Sequence, residues 1–274
     1  MNSREAGEYW NKNADAWTRL SREGYDIYRD SFNTPAFLGA LPPIDGLEGL
    51  DIGCGEGHNT RGLARRGARM TAIDISERFI QHAQASPTVD GREITFIVAD
   101  ATVLPFEAAR FDFATAFMSL MDIPAPERAL AEAYRVLRPG GFLQFSICHP
   151  CFDTPHRRNL RDEGGKTYAI EVGDYFVRLG GEIGRWLFAS APPDAKEGLP
   201  LFEVPRFTRT LSDWINSCID AGFRVERIVE PRPSDEVVFR YPDVQDAQVV
   251  AYFLHVRLRK PRVGEERSPS RRAS

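Results

Sequence analysis

Leu50-Asp51-Ile52-Gly53-Cys54-Gly55-Glu56-Gly57 runs from apolar residues into an acid and then into three glycines within five positions. Glycine accepts positive φ and leaves room for close approach of a ligand to the backbone. The amides that open the next helix are hydrogen-bond donors without intrahelical partners. That chemistry suits a strand handing over to a helix against a bound cofactor. Glycines at 53, 55 and 57 depart from the GxGxxG spacing of dinucleotide binding. Two more acids stand where apolar runs stop, Asp74 after 69–73 and Asp100 after 94–99. His149 directly follows Phe145-Ser146-Ile147-Cys148, and Pro150 restricts its backbone. An imidazole titrates near pH of about 6.5, which suits proton acceptance. His149 is therefore the best base candidate, although the same ring could bind substrate or hold the following segment in place. His156 is a weaker candidate, and neither His82 nor His255 is expected to act. Cys148-His149-Pro150-Cys151 is a CxxC pair, but no second pair accompanies it. No cluster of His, Asp and Cys at ligand spacing points to a metal.

The elements that must position these residues follow a repeating pattern. Residues 47–52, 69–73, 94–99, 111–117 and 142–148 read as strands, with helices expected over 59–66, 77–85 and 126–137. Ser76 is placed to cap the second helix, and Pro126 to open the third. Pro139-Gly140-Gly141 closes that third helix. Strands alternating with helices imply an α/β fold with parallel pairing and crossovers. The rhythm breaks over 150–207, a stretch too long for a bare loop, in which 168–179 alternates enough for one or two strands. It resumes with a helix over 211–221, capped by Thr210 or Ser212, and strands over 223–229 and 247–257. Ahead of the first strand stands an aromatic leader with Tyr9, Trp10, Trp17, Tyr25, Tyr28, Phe32 and Phe37. Helices are expected over 5–20 and 25–41, the second broken near Pro35. Such a leader could form a flap over a site or simply pack.

The chain has 274 residues, 42% hydrophobic and 27% charged, with a formal net charge of −4. These values fit a globular domain with additions and disfavour a broad nucleic-acid surface. No signal peptide is recognised at the start, and no apolar run reaches membrane-spanning length. A cytoplasmic protein with reduced thiols and no membrane partner is expected. Apolar surface on the leader and the 150–207 segment could be covered by a second copy of the chain.

Leu50–Gly57, Asp74, Asp100 and Glu127-Arg-Ala-Leu-Ala-Glu-Ala-Tyr-Arg-Val-Leu-Arg-Pro-Gly-Gly141 together resemble class I S-adenosylmethionine (SAM) methyltransferases, in the subgroup of ubiquinone and menaquinone methylases. The resemblance covers about residues 45–150 strongly and 208–257 in outline. It implies a Rossmann-like, seven-stranded, mostly parallel sheet with an antiparallel last strand. The implied organisation is an N-terminal helical lid (1–45), a SAM-binding core (46–149), an inserted substrate cap (150–207), the rest of the core sheet (208–259) and a disordered tail (260–274). The implied cofactor is S-adenosyl-L-methionine, released as S-adenosyl-L-homocysteine. By the resemblance, Asp51 and the backbone of Gly53, Cys54 and Gly55 hold its methionyl end. Asp74 takes the ribose hydroxyls, Ile75 lies beside the adenine, and Asp100 with Ala101 reads the adenine edge. Phe117 and Met118 line the cofactor and the acceptor entry. A carboxylate's two acceptor oxygens match a diol's two donors. Structural alternatives remain open: Asp74 could cap a helix, Asp100 could fix the loop before Pro105, and Asp51 could satisfy loop amides.

Methyl transfer from a sulfonium needs alignment above all. A neutral amine can attack without a dedicated base, whereas a hydroxyl or carbon acid needs one. Tyr9, Trp10, Trp17, Phe117 and His149 are the expected acceptor-binding residues, and aromatic faces suit a cationic centre. Arg157, Arg158 and Arg161 could meet an anion or stay solvated. A closer resemblance, carried by the tyrosine leader, Phe117, His149-Pro150 and Leu211-Ser212-Asp213-Trp214, is to antibiotic-pathway methylases such as lincosamide N-methyltransferases. It implies that Tyr9 and Phe117 flank the transfer site and that the acceptor is an amine of a small-molecule metabolite, such as a proline-derived ring nitrogen. The alternatives are O- or C-methylation with His149 as base, a non-catalytic SAM-binding protein, and an RNA methylase, which the acidic charge disfavours.

Overall fold

A computed structural model describes residues 1–86 and 93–265. The expected disordered tail lies outside the described residues from 266 onward. No helix among the described residues is long and apolar enough to cross a membrane.

The chain opens with α1 (Ser3–Arg22), which Asn2 and Glu5 close with a reciprocal capping box. A π-helical turn (Arg29–Asn33) then runs without interruption into α2 (Thr34–Gly39). The break expected near Pro35 is absent as an interruption; the irregularity shows instead as the π-helical turn that ends two residues before Pro35. The central units follow: β1 (Glu48–Ile52), α3 (His58–Arg65), β2 (Arg69–Asp74), α4 (Glu77–Gln84), β3 (Thr95–Val98), β4 (Phe111–Phe117), α5 (Pro126–Val136) and β5 (Leu137–Cys148). Ser76 accepts from the Phe79 amide at 3.1 Å and caps α4 as expected. Residues 139–141 belong to the start of β5 rather than to a separate turn, because Gly140 and Gly141 exchange backbone hydrogen bonds with Lys260.

Between residues 150 and 207 the chain forms two antiparallel hairpins, β6 (His156–Arg161) with β7 (Thr167–Gly173) and β8 (Gly180–Trp186) with β9 (Phe202–Phe207). The short α6 (Pro193–Lys196) lies between the strands of the second hairpin. Of the 168–179 stretch, only the part up to Gly173 is strand. Then come α7 (Leu211–Asp220), capped by Thr210 in a capping box with Asp213, β10 (Arg224–Val229), α8 (Asp235–Arg240) and β11 (Phe253–Arg259). The last strand starts later than the expected 247. Pro242 opens a 3₁₀ segment that runs to Gln248, and Asp246 within it is held by the Tyr28 hydroxyl at 2.7 Å and the Asn159 amide at 2.9 Å.

The seven-stranded sheet has the order β10-β11-β5-β4-β1-β2-β3. β11 runs antiparallel to both of its neighbours, and the remaining neighbouring pairs are parallel. This is the Rossmann-like arrangement of class I methyltransferases. The strand order reverses direction at β1 and β4, so their carboxyl ends open a crevice where open α/β sheets bind ligands. Leu50, Ile52, Phe145 and Ile147 are buried between the sheet and helices such as α5, whose Ala129, Leu130 and Ala133 face inward. The crevice therefore stands on a rigid floor.

Candidate active site

Gly53, Gly55 and Gly57 all take positive φ, at 72°, 54° and 86°. A Cβ at Gly53 would lie 2.4 Å from the Ser119 Cβ, so the ends of β1 and β4 can approach only because position 53 is glycine. A Cβ at Gly55 would meet nothing within 4 Å, and Gly55 lines a cavity of about 540 Å³. A side chain there would occupy ligand space.

The loop amides are spent inside the protein. Gly53 and Cys54 both donate to the Ile73 carbonyl, at 2.8 and 2.9 Å, and Gly55 donates to Asp74 Oδ2 at 2.8 Å. Asp74 Oδ1 accepts from the Ser76 amide at 2.9 Å. Each oxygen of Asp74 therefore keeps acceptor capacity on the cavity wall. Burial pushes its carboxyl up to about 6, against the pull of the Ser76 and Gly55 amides. Asp100 Oδ1 takes both the amide and the hydroxyl of Thr102, each at 2.8 Å. Ile75, Asp100, Ala101, Cys54, Phe117 and Met118 all line the cavity. Met118 has φ 54°, a strained conformation for a residue with a side chain, at the point where β4 turns into the 3₁₀ segment Leu120–Asp122.

The structure places Asp51 differently from the expectation. It is 2% exposed, lies outside the cavity lining, and accepts from Thr60 Oγ1 at 2.6 Å and Thr115 Oγ1 at 2.8 Å. Those bonds tie β1 to α3 and β4, which makes Asp51 a brace beneath the loop. His149 is also turned away. It is 3% exposed and outside the lining; its Nδ1 accepts from the Cys151 amide at 3.2 Å, so Nε2 carries the proton donated to Glu230 at 2.8 Å. Tyr9 likewise lies off the cavity wall, with the Lys12 ammonium 5.2 Å from its ring centre. One position along α1 turns a side chain by about 100°, which is why adjacent Trp10 lines the cavity and Tyr9 does not.

Leader and insertion wall the cavity together. Trp17 packs against Trp186, Phe188 and Phe202 at ring-centre distances of 5.3, 5.1 and 4.7 Å. Buried Asn13 both donates to and accepts from the backbone of Glu203 at 2.9 Å, joining α1 to β9. Trp10, Trp17, Trp186 and Phe188 then face the same space as Phe117 and Met118. Arg157 stacks over the Tyr252 ring at 4.4 Å and Arg158 pairs with Glu171 at 2.9 Å, so neither is a free anion site. His156 is taken by Glu171 at 2.7 Å.

Sequence reasoning missed much of the lining, Tyr28, Asp26 and Asp122 among it. Tyr28 stacks on Tyr252 and anchors the π-helical turn through Asp246. Asp26 also lines the wall, and burial raises its carboxyl to about 6. Asp122 was visible as a lone acid in the apolar run Leu120-Met121-Asp122-Ile123-Pro124, just past β4. The wall thus carries Asp26, Glu56, Asp74, Asp100 and Asp122, whereas its one arginine, Arg29, is paired with Asp30 at 2.7 Å. An acid-rich wall with a diol-ready carboxylate and an open cradle at Gly55 fits a ligand that carries a sulfonium, an ammonium and a ribose.

Residues 50–145 match a family model described as a methyltransferase domain. A structure of an S-adenosylmethionine-dependent methyltransferase from Mesorhizobium loti superposes with a TM-score of 0.66 at 26% identity, covering 82% of this chain and 96% of that one. This chain carries a class I SAM-dependent methyltransferase domain. The domain is related to the ubiquinone and menaquinone methyltransferases. A demethylmenaquinone methyltransferase of Clavibacter sepedonicus is 37% identical over 140 residues, 51% of this chain and 55% of that protein. A ubiquinone biosynthesis O-methyltransferase of Coxiella burnetii is 34% identical over 109 residues, 40% of this chain and 47% of that protein. The chain spans about half the length of these curated relatives. S-adenosylmethionine is the methyl donor of the methyltransferase domain, and its cavity has the residues to hold it.

Proposed function

We propose that the protein transfers the methyl group of SAM to an amine nitrogen of a small-molecule metabolite. The observation that carries this reading is the single cavity in which the SAM-loop residues and an aromatic, largely apolar wall meet. In this reading Asp74 accepts both ribose hydroxyls, Ile75 and Ala101 flank the adenine, and Asp100 takes its edge. The loop at Gly53–Gly55 gives the methionyl end close passage over the backbone. SAM supplies a methyl group on a positively charged sulfur that departs neutral, so no residue need act as an acid towards it. Phe117, Met118 and Trp10 hold the acceptor in line and exclude water, and orientation of this kind is the main contribution an enzyme makes to such a displacement. His149 is engaged with Glu230 and Cys151, which removes the expected base for a hydroxyl or carbon acid and favours an amine, whose ammonium proton is lost far more readily than theirs.

Transfer to oxygen or carbon is the second reading, favoured by the names of the ubiquinone and menaquinone relatives. The deciding experiment is an acceptor panel with methyl-labelled SAM read by mass spectrometry. It should include secondary amines, among them the proline-derived ring nitrogen of an N-demethyl-lincosamide precursor, together with phenols and quinols. Label on nitrogen supports the proposal. Label confined to phenols or quinols replaces it with the second reading.

A further inference from the structure

Asp122 ends the 3₁₀ segment that follows β4, on the cavity wall among Met118, Met121, Ile123 and Cys148. Its backbone amide donates to the Ser119 carbonyl at 3.0 Å, which fixes the turn. Among the described residues no donor or cation reaches its carboxylate. The other acids of the wall are differently placed, and Glu56 among them is paired with Arg22 at 3.0 Å and Arg61 at 2.6 Å. Asp74 and Asp100 are engaged by loop donors, and Asp26 lies 3.7 Å from the Arg29 guanidinium. A carboxylate that faces an apolar cavity without a partner is costly, and the cost is removed when a ligand brings a cation to it. Burial, with the Asp153 charge second, holds the carboxyl well above the usual carboxylate range.

We infer that Asp122 is the acceptor-recognition residue, which binds the protonated amine of the substrate and takes one proton from it. This rests on the amine reading proposed above. An amine of ordinary basicity arrives as R₂NH₂⁺, with no lone pair to attack. In an apolar surrounding an ion pair loses much of the hydration that sustains it. As the ammonium enters, the Asp122 carboxyl gives up its own proton to solvent; the N–H bond then breaks, its electron pair stays on nitrogen, and the proton forms an O–H bond to Asp122, so that binding releases one proton in all. A neutral amine then faces a neutral carboxylic acid, and nitrogen is nucleophilic. Hydrophobic bodies attached to the nitrogen would lie against Met121, Ile123 and Phe117. The substrate class is a hydrophobic secondary or primary amine that is cationic in solution.

The test pairs a probe with its neutral isostere: N-methylbenzylamine and benzyl methyl ether, titrated calorimetrically into the protein saturated with S-adenosylhomocysteine. The expected result is roughly tenfold or greater preference for the amine, abolished in Asp122→Asn and in Asp122→Ser. Unchanged S-adenosylhomocysteine affinity and melting temperature show that these variants are folded. Equal affinities of the wild type for amine and ether, or no measurable affinity for either, overturn the inference, as does a preference that survives both substitutions. Methyl transfer to the amine panel is scored separately. If amines are methylated but the calorimetric preference ignores Asp122, the amine reading stands and the role of Asp122 falls. If the preference depends on Asp122 but only oxygen or carbon is methylated, the cation site stands and the amine reading falls.

Discussion

At the scale of single residues, the site separates the acids that hold the fold from those that face a ligand. Asp51 and Asp74 end neighbouring strands and look alike in sequence. Asp51 is closed off by two threonine hydroxyls, whereas Asp74 keeps lone pairs on the cavity wall. Because burial lifts the Asp74 carboxyl to about 6, its protonated form dominates below that pH and its ionised form above it. A group with a raised pKa adds stability to the ligand-free protein at low pH and loses it as pH rises through about 6. SAM hydroxyls prefer the ionised form, so binding must release a proton at low pH. SAM affinity measured by calorimetry should therefore weaken by up to roughly tenfold per pH unit below about 6, and Asp74→Asn should flatten the profile. A profile in the wild type that is flat between pH 5 and 7.5 would count against the placement of the ribose. For His149 the expectation is a negative one. His149→Ala should change turnover by no more than a few-fold, because loss of a general base costs about 10²–10⁴ and this ring faces Glu230. A loss in that larger range, with acceptor affinity intact, would restore His149 as the base.

At the scale of elements, the central strands were legible and the added ones only in part. In the central units the apolar runs of β1, β2 and β4 are each followed by a helix, with Ser76 capping α4, so local signals and tertiary pairing agree. β6 escaped because His-Arg-Arg-Asn-Leu-Arg reads as a charged surface stretch; its strand is supported by Glu171 on β7, which meets both His156 and Arg158. β11 was placed too early because Ala247-Gln248-Val249-Val250 is apolar enough for a strand, while the side-chain bonds to Asp246 that hold it in a 3₁₀ turn come from residues 28 and 159. Such partners, more than 80 residues away for Asn159 and more than 200 for Tyr28, leave no local trace. The same holds for α1 and the second hairpin, whose joint core is built on Trp17. Trp17→Ala should cost about 3 kcal/mol in urea unfolding and open α1 and the 180–207 hairpin to limited proteolysis. An unchanged midpoint and digestion pattern would mean that these elements do not rely on each other.

At the scale of the whole molecule, a sheet crevice shared with many α/β proteins is deepened into a partly enclosed chamber by chain added before β1 and after β5. The sheet edge supplies Gly55, Asp74 and Asp100, and the additions supply Trp10, Trp17, Trp186 and Phe188. Gly55, Asp74 and Asp100 could be picked out as lining residues because each sits at or just past a strand end, whereas Asp51, picked in the same way, lies outside the lining. The acceptor half could not be picked out, because seven aromatics in the leader offered no way to choose Trp10 and Tyr28 over Tyr9, and the facing wall comes from residues 186–204. The central claim is that this chamber binds SAM through Asp74, and calorimetry of SAM against the wild type and Asp74→Ala at pH 7.5 tests it most directly. The account predicts tight binding to the wild type and a loss of roughly tenfold to a hundredfold in the variant, the range for hydrogen bonds to a charged group. Equal affinities in the two proteins would contradict it.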